Sequence, residues 1–79
     1  MARPEDYAVL VQQLAPEWGG GYVARVPDLP GCMSDGETPQ EAFANAIDAI
    51  GCWIEAAQDM GHTVPDPTPV EPEPMLKYA

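Results

Sequence analysis

Residues 22–41 read Tyr22-Val23-Ala24-Arg25-Val26-Pro27-Asp28-Leu29-Pro30-Gly31-Cys32-Met33-Ser34-Asp35-Gly36-Glu37-Thr38-Pro39-Gln40-Glu41, and their order decides the fold. Tyr22, Ala24 and Val26 alternate with Val23 and Arg25, the period-2 pattern of a strand. Neither Pro27 nor Pro30 can donate to a sheet ladder, so Pro27-Asp28-Leu29-Pro30-Gly31 must interrupt that strand. Cys32 to Ser34 resumes as a short third strand before Asp35-Gly36 turns the chain. At Thr38-Pro39-Gln40-Glu41 a helix begins, with Thr at the N-cap, Pro at the first helical position and Glu three residues after the cap. This is a capping box, in which side chain and backbone satisfy each other's orphan donors. Strands followed by one capped helix place the chain in the α+β class.

Working outward, Tyr7 to Leu14 reads as a first strand, with Val9 and Val11 on one face and Ala8, Leu10 and Leu14 on the other. Apolar groups on both faces indicate a central strand or one covered at an oligomer interface. Pro16 to Gly21 punctuates the chain, and the triplet Gly19-Gly20-Gly21 suits a hairpin loop. On the other side, residues 38–60 read as one helix, with Gly61 at C′. At about 100° per residue, Phe43, Ile47, Ile50 and Ile54 share a side with Ala46 and Ala57, and this stripe is expected to pack on the sheet. Gly51 within the helix costs about 1 kcal/mol relative to Ala, with close packing its one suggested reason. Residues 1–67 thus form one α+β domain and residues 68–79 a Pro-rich acidic tail.

Charge is the most biased quantity. Thirteen acids face three fixed cations, Arg3, Arg25 and Lys77, for a formal net charge of −10 over 79 residues. Duplex nucleic acid carries one negative charge per about 1.7 Å and is held mainly by Lys and Arg, so three scattered cations build no such footprint. The same field attracts a basic partner and speeds its encounter, although an acidic surface also serves solubility.

The acids concentrate on the helix. Glu41, Asp48 and Glu55 are spaced by seven and line one face with Asp59 beside them, and no Lys or Arg occurs between Thr38 and Met60. Glu55 and Asp59 are like charges at i,i+4, and Asp59 sits near the negative end of the helix dipole. Each is unfavourable by a few tenths of a kcal/mol. The strip reads either as a solvated face or as a docking strip for a cationic partner. Beside it lie Ala42, Ala49, Ala56, Trp53 and Met60, an apolar and mostly small flank that reads as a widened core face or a second contact surface. Trp53 is its natural interface anchor.

Catalytic constellations are absent from the reading. His62 is the one histidine and Ser34 the one serine, and there is no phosphate-binding glycine loop with a lysine, no HExxH and no serine elbow. Cys32 and Cys52 are lone thiols without CxxC spacing, so neither a disulfide framework nor a zinc site is expected. Asp6, Asp28 and Asp35 fall at strand edges and turns, where acids are ordinary. No cofactor, metal or catalytic residue is therefore expected. No secretory leader is expected ahead of the first strand, and the longest apolar runs fall far short of the roughly 20 residues that span a bilayer. A soluble, cytoplasmic binding protein is the expectation.

One string narrows this further. Gly20 through Cys32, with its Pro27-Asp28-Leu29-Pro30-Gly31-Cys32 turn, followed by Ser34, Gly36, Thr38, Glu41 and Ala42, closely resembles the HicB antitoxin family. Gly61 and Val64-Pro65-Asp66-Pro67 resemble that family's exit from the helix, so the likeness covers residues 7–67. It implies a partial RNase H-like β-β-β-α-β fold, a three-to-four-stranded sheet on one helix, with a short last strand starting at Thr63-Val64. It also implies a non-catalytic homo-oligomer, dimer or tetramer, that binds and blocks a small basic mRNA-cleaving toxin of the HicA kind. The second reading is a stand-alone HicB-like oligomer with another binding or regulatory role. Many family members carry a C-terminal DNA-binding domain. Residues 68–79 are too short and proline-rich to form one, so direct operator binding by this chain is not expected.

Overall fold

Cβ-less Gly36 sits where the first turn of the helix meets the sheet, and it sets how the two layers pack. In the computed structural model, which describes residues 3–69, β1 (Leu10–Gln13), β2 (Tyr22–Arg25) and β3 (Met33–Gly36) precede α1 (Pro39–Asp59). The strands form an antiparallel sheet in the order β1-β2-β3, with Leu10 opposite Arg25 and Tyr22 opposite Gly36. A methyl group on Gly36 would lie 2.5 Å from the backbone nitrogen of Ala42 and 2.9 Å from the carbonyl carbon of Glu41. The helix therefore rests its own backbone on the strand, and only small side chains fit there. Ala24, Ala42 and Ala46 fill the contact and are fully buried.

Toward the other end of α1 the gap holds larger groups. Tyr7, Val26, Leu29, Cys32 and Ile50 form a second cluster, with Val9, Ile47, Ala49, Trp53 and Ile54 packed against it. The buried residues of α1 are Ala42, Ala46, Ile50 and Ala57, with Ile47 and Ile54 half-buried against the core, so the expected stripe packs on the sheet except at Phe43, whose place Ala42 takes. Phe43 is 48% exposed. The reason is steric, since a helix this close to Gly36 presents alanine to the sheet and swings its larger side chains to the flank.

The helix ends follow local chemistry. Thr38 Oγ1 accepts from the Glu41 backbone N–H at 3.1 Å, while Glu41 Oε1 accepts from the N–H of Glu37 (3.2 Å) instead of Thr38, a box shifted outward by one residue. At the other end Gly61 takes φ +74°, its N–H donates to Gln58 and His62 N–H donates to Ala57, a Schellman closure. Gly51 has no neighbour within 4 Å of a built Cβ, so close packing does not account for it.

Of the two readings left open for β1, the central one is removed, because β1 is an edge strand. One strand expectation is corrected. Thr63-Val64 forms no strand among the described residues, so the observed order is β-β-β-α. Prolines at 65, 67 and 69 remove every second ladder donor from that segment. It is held instead through Tyr7, whose hydroxyl donates to the Pro65 carbonyl, and Thr68, whose N–H and Oγ1–H both donate to the Asp28 carboxylate at 2.9 Å. Residues 70–79, and with them most of the expected tail, lie outside the described residues.

The two helix-associated glycines give opposed expectations. Gly36→Ala should cost about 1–3 kcal/mol through overpacking, whereas Gly51→Ala should gain about 0.5–1 kcal/mol. Urea titration of both variants measures this, and shifts of the same sign would contradict the close-approach account.

Candidate partner-binding surface

The seating of α1 determines which residues reach solvent. Glu41, Asp48, Glu55 and Asp59 are all exposed on the flank facing away from the sheet, and Cys52 lies exposed among them. Among the described residues the ion pairs run from Arg3 to Glu5 and Asp6, so none of the four helix carboxylates is neutralised by a cation there. Glu41 differs from the other three because its carboxylate is engaged at the helix cap.

At its N-terminal end the strip opens into a polar recess of about 540 Å³. Asp35, Glu37, Glu41 and Asn45 border it together with the Gly19–Gly21 loop. All three glycines have positive φ (111°, 71° and 75°), which carries the chain from the turn at Pro16–Trp18 back into β2. The recess was not legible from the sequence, because it depends on this loop folding over the β3–α1 corner. Asn45 Nδ2 donates to the Asp35 carbonyl at 2.9 Å and fixes one wall.

Trp53, read either as part of a widened core face or as an interface anchor, is half-buried. Its Nε1–H donates to the Pro30 carbonyl at 3.0 Å and its ring packs on the larger core cluster. It ties α1 to the Pro27–Cys32 turn, and its open edge joins Pro30, Ala56, Met60 and Pro65 around an apolar recess of about 360 Å³. The turn itself buries Leu29 completely and Cys32 almost so. Val26 N–H donates to Cys32, Leu29 N–H to Val26 and Cys32 N–H to Leu29, which closes a ring of backbone bonds around the two prolines. Among the described residues no cluster of three or more His, Cys, Asp or Glu is arranged to hold a metal, and no helix is long and apolar enough to cross a membrane.

Burial pushes the Tyr7 hydroxyl above its ordinary pKa, and the charges of Asp66, Asp28 and Asp6 push it further the same way. Burial alone raises the Cys32 thiol. Both groups keep their protons longer folded than unfolded, so both stabilise the fold at neutral pH and lose that contribution as pH rises past the unfolded values.

The model of the HicB_like antitoxin of bacterial toxin-antitoxin system matches residues 7–75. An uncharacterized 14.9 kDa protein of Haemophilus phage HP1 is 45% identical over 51 residues, which are 65% of this chain and 38% of that protein. A UPF0150 protein of Thermoplasma acidophilum is 41% identical over 46 residues, 58% of this chain and 67% of its own length. Antitoxin HicB 1 of Photorhabdus laumondii is 35% identical over 57 residues, 72% of this chain and 37% of that antitoxin. The chain therefore spans well under half of the phage protein and of the Photorhabdus antitoxin.

Tyr7→Phe should cost about 1 kcal/mol at neutral pH by removing the bond to Pro65. Stability of the wild type should fall as pH rises above about 10, and the variant should fall less steeply. Denaturation midpoints at pH 7 and above pH 10 measure both effects; parallel pH curves would contradict the assignment.

Proposed function

The chain belongs to the HicB-like antitoxin family of bacterial toxin–antitoxin systems, and from that premise we propose that it binds and neutralises a small basic, HicA-like, mRNA-cleaving toxin. The observation that carries the proposal is the carboxylate flank of α1, exposed over its whole length and without a cation among the described residues. Like charges at i,i+4 cost a helix a few tenths of a kcal/mol. A cationic partner turns that cost into attraction, and long-range steering raises its association rate. Asp48, Glu55 and Asp59 offer point charges along the flank, and the recess at Asp35, Glu37 and Glu41 offers a seat for one Lys or Arg side chain. Trp53 contributes by holding the Pro27–Cys32 turn against the helix.

The protein acts by binding and not by catalysis, in the cytoplasm where mRNA is the toxin's substrate, and as a homo-oligomer. A stand-alone oligomer without a toxin is the alternative reading. The observation favouring it is the amount of apolar surface left open at Leu10, Met33 and Phe43.

The test is to look for a reading frame for a small Lys/Arg-rich protein adjacent to that of this chain and, where one is found, to co-express the two. We expect that protein to arrest growth alone, to be harmless with this chain and to co-purify with it. Asp48→Lys, Glu55→Lys and Asp59→Lys together should weaken the complex about 10- to 100-fold, mostly through slower association, and leave the helix content intact. Glu41 is spared in this variant because its reversal would also damage the cap. Unchanged affinity would show that the flank is only solvated, and failure to co-purify would leave the stand-alone oligomer.

A further inference from the structure

We propose that the free edge of β1 joins a second copy of this chain, extending the two sheets into one across a two-fold axis at Val11. This deepens the homo-oligomeric part of the reading above and does not depend on the identity of any toxin.

Backbone parity identifies the open edge. Leu14 N–H donates to the Gly21 carbonyl at 2.9 Å, so Leu10, Gln12 and Leu14 turn their backbone groups toward β2. Val9, Val11 and Gln13 then turn theirs outward, and among the described residues no segment pairs with them. The opposite edge is different. Val26 N–H donates to the Cys32 carbonyl, which leaves Met33 and Asp35 facing outward on β3. There the Asn45 amide occupies the Asp35 carbonyl, and the Asp35 carboxylate adds a charge. Charges, prolines and covering groups are how sheet edges avoid pairing. β3 has two of these, whereas Leu10-Val11-Gln12-Gln13 has no charge and no proline.

The flanking side chains point to the same occupant. Val9 and Val11 face the helix layer but are only partly buried. Above them on α1, Ile47 and Ile54 pack on the cluster that contains Tyr7 and Val9, and Phe43 continues this flank half-exposed. Edge and flank together make a neutral, apolar seam. The carboxylate flank lies roughly 120° further round the helix at about 100° per residue. Two chains of net charge −10 repel one another over most of their surfaces, and this seam lets them meet with the acidic strips turned outward. A basic partner would be drawn to the strips and not to this edge. The strand is also self-complementary. With the axis at Val11, that residue faces its own copy and Val9 faces Gln13 of the second chain, so the outward-facing backbone groups pair with their own kind.

The test uses the full chain alone at tens of micromolar, by sedimentation under reducing conditions and, for the cysteine variants, by cross-linking after the reductant is removed. Wild type should be a dimer or a multiple of one. Val11→Pro removes one outward N–H without touching the β2 ladder and should raise the dimer dissociation constant tenfold or more. In a Cys52→Ser background, Val11→Cys should oxidise to an intermolecular disulfide, because a hydrogen-bonded antiparallel pair sets Cα atoms about 5.5 Å apart. Met60→Cys in that background should not. Should Val11→Pro fail to fold, the cross-link decides alone. A monomeric wild type, or a Val11→Cys variant that cross-links no better than Met60→Cys, overturns the proposal. The triple lysine variant of the acidic flank should dimerise at least as tightly as wild type, which separates this test from that of toxin binding.

Discussion

The approach of α1 to the sheet at Gly36 is the constraint on which the other features depend. Because a Cβ there would meet the helix backbone at 2.5 Å, the helix can seat itself only with alanines beneath it. Ala24, Ala42 and Ala46 bury little apolar area each, so this contact adds modestly to stability at about 25 cal/mol per Å². Its effect is on orientation. The larger side chains that drive burial, Leu29, Ile50, Tyr7 and Val26, collect at the far end, where the Pro27–Cys32 turn closes the core.

That orientation divides the surface by charge. Seating Ala42 and Ala46 inward places Glu41, Asp48, Glu55 and Asp59 in solvent and leaves Phe43, Ile47 and Ile54 on the side of β1. One helix thus separates a polyanionic flank from an apolar one. The first suits a cationic partner reached through long-range attraction, and the second suits a contact between chains that would otherwise repel.

Much of this was legible in the residues and some was not. Thr38-Pro39 and Gly61 marked the helix ends because capping is local chemistry, and Pro27 and Pro30 marked the turn because proline removes donors. Ala46, Ile50 and Ala57 were legible as core positions from their spacing, but the exchange of Phe43 for Ala42 was not, since hydrophobicity favours Phe43 and only the proximity of Gly36 reverses that order. Edge or centre for β1 was left open because strand order is a long-range property. The acidic strip was readable from its spacing of seven, but the recess at Asp35, Glu37 and Glu41 needed the glycine loop in place. Trp53 was readable as core face or as anchor, and its bond to Pro30 could not be foreseen from sequence.

The central claim is that the helix presents its carboxylate flank as the partner surface while the β1 edge serves another copy. Backbone amide NMR of the chain, titrated with a small Lys/Arg-rich toxin of the HicA kind, tests this most directly. The account predicts shift changes concentrated along residues 41–59 and the Gly19–Gly21 loop, with Val9 to Gln13 unmoved because that edge is already paired. Changes centred on β1 or on the Leu10–Met33 face, with the acidic flank silent, would contradict it.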